Sequence, residues 1–235
     1  MTEECFAKEL MANLKPHLSK LNLKGYSGLS FETLPDDRAA ARVVDGRVEI
    51  NLRYFSQKAP LAMQGDMVAY SELLNTFHHE FCHIDIDNRM PFLVRELKDD
   101  EVFPLGIAFR FTREFLACLG SIETMSAECL KETITKGTTE INNLSGVRDI
   151  RNYCDIVCDL AYLVGNCIHA PCGYFVSMCD AIEDELIVRL ARQFLSIMSG
   201  IEDKLPLETE ADLFPLRDAI GAGWLQYRSA DNLQK

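Results

Sequence analysis

Apolar residues recur at helical spacing over residues 3–20, where Phe6, Leu10, Leu14 and Leu18 share one face. The pattern predicts an amphipathic first helix, with Pro16 placed to kink it or end it early. Beyond Gly25 the spacing shortens. Leu29 and Phe31 mark a strand within residues 25–34, closed by Pro35-Asp36-Asp37. Ala41–Val44 and Arg47–Arg53 then flank Asp45-Gly46, a pair suited to a type I′ hairpin turn. Val48, Ile50 and Leu52 alternate with Arg47, Glu49, Asn51 and Arg53, which predicts one buried and one wet face.

From about Asp66 to Asp87 the pattern is helical again. A loop rich in charge and proline (88–104) leads to a long predicted helix, about Leu105 to Lys131. Residues 133–145 are polar and read as a loop. Two more helices are expected over 147–168 and 174–199, separated by Ala170-Pro171-Cys172-Gly173. Their repeated apolar positions (Ile156, Leu160, Leu163; Leu186, Leu190, Phe194, Ile197) read as core. The tail from Gly200 holds Pro206 and Pro215 and room for one short helix. No internal repeat interrupts this order. A small three-stranded sheet followed by helices predicts an α+β fold. Two organisations fit: a domain over 1–132 with a helical extension over 133–235 on the same core, or one domain throughout.

Composition narrows the function. The 235 residues are 48% hydrophobic and 26% charged, ample for a real core. The formal net charge of −12, with no Lys/Arg-rich block, argues against direct nucleic-acid binding. No stretch approaches the roughly 20 apolar residues that span a bilayer. The amino terminus, Met-Thr-Glu-Glu-Cys, is acidic where a secretory signal is basic. Nine cysteines without a spacing framework then read as reduced thiols of a cytoplasmic protein.

The chemistry lies in His79-Glu80-Phe81-Cys82-His83, an H-E-x-x-H match. Positions i and i+4 stand one helical turn apart on one face, so both imidazoles can grip one ion. Glu80 projects roughly 100° round the helix, beside such an ion. Leu73, Leu74, Phe77, Phe81 and Ile84 fall opposite the two histidines, whereas Glu72, Asn75 and Thr76 fall on their side. The helix is therefore expected to pack by its back and turn His79 and His83 toward a polar cleft.

A catalytic zinc needs a third protein ligand. Glu114, on the next predicted helix, neighbours the apolar positions Ile107, Phe111, Cys118 and Met125, where a carboxylate needs a cation. That cation is either a metal or Arg110, one turn away. Glu96 and Asp100 are rival ligands from the loop, and Glu123 sits on the opposite helical face. His169 and Tyr174 flank the Pro171/Gly173 break and are candidates for steadying an oxyanion, or a packed corner pair. His78 with Cys82 lacks a third partner, Cys154 and Cys158 read as buried small residues, and His17 reads as a surface residue.

The succession of strand Val48–Arg53, His79-Glu80-Phe81-Cys82-His83 and Arg113-Glu114-Phe115-Leu116-Ala117 resembles gluzincin metallopeptidases, the compact ImmA/IrrE-like branch above all. It covers about residues 40–125. Phe81 and Cys82 stand where that branch often carries smaller residues. The resemblance implies a minimal zincin-like domain and a mononuclear zinc held by His79, His83 and Glu114. It further implies Glu80 as catalytic base and a protein or peptide as substrate. In such enzymes an exposed strand edge pairs with the substrate, and Arg47–Arg53 is the expected strand here. The other reading is a non-catalytic regulatory or inhibitor protein that keeps the scaffold as a protein-binding module.

Overall fold

The computed structural model describes residues 2–35, 39–99, 101–171 and 173–230. The chain is α+β, a small mixed sheet with a mostly helical carboxyl part. It divides into two compact units, 1–89 with 120–130, and 90–119 with 131–235. The second unit joins residues 90–119 to the carboxyl-terminal helices.

In the first unit, α1 (Glu3–Leu18) starts where the Thr2 hydroxyl accepts from Cys5 N at 3.3 Å, with Glu3 and Glu4 at the positive end of the helix dipole. Pro16 lies inside its last turn. Strands β1 (Gly28–Glu32), β2 (Ala41–Val44) and β3 (Arg47–Asn51) form one sheet in the order β1-β3-β2. Asp45 (φ 50°) and Gly46 (φ 73°) form the left-handed turn that their sequence predicts. β3 pairs antiparallel with β2 (Val43 opposite Val48) and parallel with β1 (Phe31 opposite Ile50). It is therefore the central strand, not an edge. The expected substrate strand Arg47–Arg53 is already paired on both sides. Leu52 and Arg53 also leave the sheet, because the Asn51 side chain accepts from Arg53 N at 3.1 Å and caps α2 (Leu52–Met63). The sequence reading missed this helix.

Helix α3 (Met67–Arg89) begins where Asp66 Oδ1 accepts from Val68 N and Ala69 N, both at 3.0 Å. Its apolar face, Leu73, Phe77, Phe81 and Ile84, is buried with Phe6, Leu10, Leu14, Val48, Ile50 and Phe55. Each such side chain contributes about 1.5–3 kcal/mol by leaving water. The tail end of α3 is tied down by Asn88, whose Nδ2 donates to Asn22 O (2.7 Å) and Lys24 O (2.8 Å).

The chain passes between the units within α4 (Ile107–Ser121) and again within α5 (Ala127–Ser145), with a 3-10 turn (Ile122–Thr124) between them. The expected continuous helix over 105–131 is thus broken at Ser121. The expected loop over 133–145 is instead helical. Leu130, Ile134, Thr138 and Ile141 are buried at helical spacing. The hydroxyls of Thr135, Thr138 and Thr139 donate to carbonyls one turn back, at 2.8–3.0 Å. Polar side chains that bond to their own helix in this way do not interrupt it.

In the second unit α6 (Ile150–Cys167) is capped by Asp149 and buries Ile156, Val157, Leu160 and Val164. A Cβ on Gly165 would meet Phe115 O at 2.7 Å, so only glycine admits α4 this close. After α7 (Gly173–Ala181), Asp184 caps α8 (Glu185–Glu202) by accepting from Leu186 N at 2.8 Å. That cap divides the single helix expected over 174–199. In α9 (Phe214–Ser229), Ile220 O accepts from the buried Tyr153 hydroxyl at 2.7 Å.

Candidate metal centre

His79 and His83 stand one turn apart on α3, as the motif requires. Their Nε2 atoms are 3.1 Å apart, and the ring planes meet at 87°. Two ring nitrogens that close either share a proton or share a cation. A zinc with bonds of about 2.0–2.1 Å to its ligands separates tetrahedral partners by roughly 3.3 Å, so the observed spacing fits one ion.

The surroundings of the pair are enclosed. His79, Glu80 and His83 are only 6–7% exposed. The polar side of α3 is covered as well. Asn75 Nδ2 donates to Ser121 O at 2.8 Å, and Ser71 Oγ to Thr124 O at 3.2 Å. Within the motif, Cys82 faces Gly120 near the end of α4, where a Cβ would lie 2.9 Å from its sulfur. Phe81 meets Tyr26 edge-on, with ring centroids 5.2 Å apart. The motif helix is thus anchored on both faces within the first unit.

The other candidates are distributed as follows. Glu114 lies on α4, in the second unit, and is partly buried. Glu96 is exposed in the same unit, and Asp100 falls outside the described residues. His169 Nε2 lies 2.6 Å from Glu202 Oε1 at an exposed position. Tyr174, at the start of α7, lines a cavity of about 640 Å³ with Ile134, Thr138 and Asn142. His169 and Tyr174 both belong to the second unit. Cys158 on α6 is buried, and that burial pushes its thiol up to about 12; burial also raises Cys154. Neither thiol is primed as a thiolate ligand.

Sequence reasoning missed one constellation. His17, read as a surface residue, places Nδ1 2.6 Å from Glu123 Oε1 and its ring 5.2 Å from that of His78. Hydrogen bonding from His17, reinforced by Lys20, holds the Glu123 carboxyl below the usual carboxylate range. His78 keeps company with His17 and Thr124. Burial, then the neighbouring His17, pushes His78 down to about 4, so it is neutral at pH 7. Only the tertiary fold brings together residues 106 positions apart.

Comparison with protein-family models, curated proteins and solved structures finds no match for this chain. The gluzincin resemblance therefore rests on the motif residues themselves.

Proposed function

We propose that this chain is a zinc-dependent metallohydrolase, a metallopeptidase of gluzincin type, acting on a protein or peptide. The observation that carries the reading is the 3.1 Å approach of His79 Nε2 to His83 Nε2 on one turn of α3, with Glu80 between them in sequence. Two imidazoles and a carboxylate are a donor set that suits zinc. His79 and His83 would hold the ion. Glu114, from the E-x-x-A segment on α4, is the proposed third ligand on its sequence position alone.

Bound zinc would supply Lewis acidity toward a carbonyl oxygen and toward water. The chain's own part falls to Glu80. Its carboxylate accepts the proton of the attacking water and returns it to the leaving amine. His169 and Tyr174 have no observed link to this chemistry beyond their positions in the sequence. The net charge of −12 argues against nucleic acid as partner, and no described helix is long and apolar enough to cross a membrane. The free thiols of Cys5, Cys158, Cys167 and Cys179 support a reducing, cytoplasmic setting.

A second reading has its own support. The expected substrate strand is internal to the sheet, and the motif is buried. Both features suit a non-catalytic regulatory or inhibitor protein that keeps the scaffold. Glu80→Gln separates the two. In zinc-loaded protein assayed on a quenched-fluorescent peptide library, the enzyme reading expects metal content unchanged and hydrolysis reduced by about 10²–10⁴-fold. Wild-type protein that binds zinc yet cleaves nothing, or a variant as active as wild type, would favour the binding module.

A further inference from the structure

His17, His78 and Glu123 reach one point from three elements of the first unit: the end of α1, the middle of α3 and the 3-10 turn after α4. One ligand-competent atom from each lies within 4.8 Å of the other two. A surface ion pair would not need this arrangement. Glu123 already has an ammonium group at 3.3 Å, that of Lys20. The second imidazole, His78, is 1% exposed, and the large majority of side-chain nitrogens buried that deeply have a polar partner.

The Thr124 hydroxyl lies at the centre of a buried polar cluster beside His78. It donates its single proton to Ser121 O at 2.7 Å and accepts from Asn75 Nδ2 at 3.3 Å. His78 Nδ1 lies 3.4 Å from the same hydroxyl, within this buried polar cluster. In metal-binding histidines one ring nitrogen is commonly held by a polar group of the protein.

The geometry points to a second zinc site, with His17, His78 and Glu123 as ligands, distinct from His79 and His83. Two imidazole nitrogens and one carboxylate oxygen form a borderline donor set that favours zinc over magnesium or calcium. Ligand atoms round a tetrahedral zinc stand roughly 3.3 Å apart. His17 and Glu123, both partly exposed, can reach that spacing by side-chain rotation about the fixed His78. Lys20, 65% exposed, is free to swing into solvent when zinc replaces it. Bound there, zinc would join the end of α1 to α3 and the 3-10 turn, a structural role. The proposal stands independently of the peptidase reading.

The test is calorimetric titration of chelator-treated, full-length protein with zinc chloride, with far-UV circular dichroism to confirm the fold of each variant. His17→Ala and Glu123→Gln should each bind one equivalent fewer than wild type. The double variant His79→Ala/His83→Ala should retain the equivalent that those two lose. Lys20→Met removes a competing cation and should tighten the site by roughly two- to fivefold. Stoichiometry and affinity unchanged in both His17→Ala and Glu123→Gln would overturn the proposal and leave a hydrogen-bonded His–Glu pair.

Discussion

Cys82, inside the H-E-x-x-H motif, lies against Gly120 so closely that a Cβ on the glycine would come within 2.9 Å of its sulfur but 3.5 Å from its own Cβ. A helical glycine normally costs about 0.5–1 kcal/mol relative to alanine. Its presence here is explained by the room that Cys82 needs. In wild-type protein Gly120→Ala should therefore destabilise, because overpacking of about 1–3 kcal/mol exceeds the propensity gain. In a Cys82→Ala background the same change should stabilise by about 0.5–1 kcal/mol. Urea unfolding of the four proteins of this cycle reads the change of sign. An equal effect of Gly120→Ala in both backgrounds would rule out the contact.

The second unit contains an acid-sensitive clamp. Arg95 hydrogen-bonds Glu101 at 3.0 and 3.1 Å and Glu210 at 2.8 Å, which joins the segment before α4 to the turn before α9. Hydrogen bonding to Arg95, aided by Lys98 N, holds the Glu101 carboxyl down to about 2. A carboxyl lowered on folding contributes stability that is present above its ordinary value near 4.5 and is lost as pH falls toward 2. The urea midpoint of wild type should thus fall between pH 5 and pH 2.5 by more than that of Arg95→Met. Parallel acid profiles of the two proteins would remove the clamp from the account.

Burial also sets thiol reactivity. Cys158 and Cys167 are pushed up to about 12 by desolvation, whereas Cys5 is exposed. Brief iodoacetamide treatment at pH 8, followed by peptide mass mapping, should label Cys5 and spare Cys158 and Cys167 until denaturant is added. Rapid labelling of Cys158 in native protein would mean that α6 opens or packs differently.

What could be read from the chain follows the range of the interactions. The Asp45-Gly46 turn and the motif helix are local patterns of backbone preference and apolar spacing, and both occur where expected. Helix α5 was hidden because threonine and asparagine suggest a loop, yet the threonine hydroxyls are absorbed by carbonyls of the same helix. Helix α2 was hidden because Leu52 and Arg53 continue the strand alternation until Asn51 caps the helix. The interior place of β3 depends on the parallel partner β1, which no local pattern reveals. In the same way, His17 and Glu123 carry no joint signature in the sequence, since only tertiary packing brings them to His78.

The central claim is that His79 and His83 hold zinc. It is tested most directly by atomic absorption on protein stripped, reloaded with zinc and gel-filtered, in a His17→Ala background that removes the second site. The account predicts one equivalent of zinc in that background and none once His83→Ala is added, with far-UV circular dichroism preserved in both. Equal zinc content in the two proteins, or none in either, would contradict it.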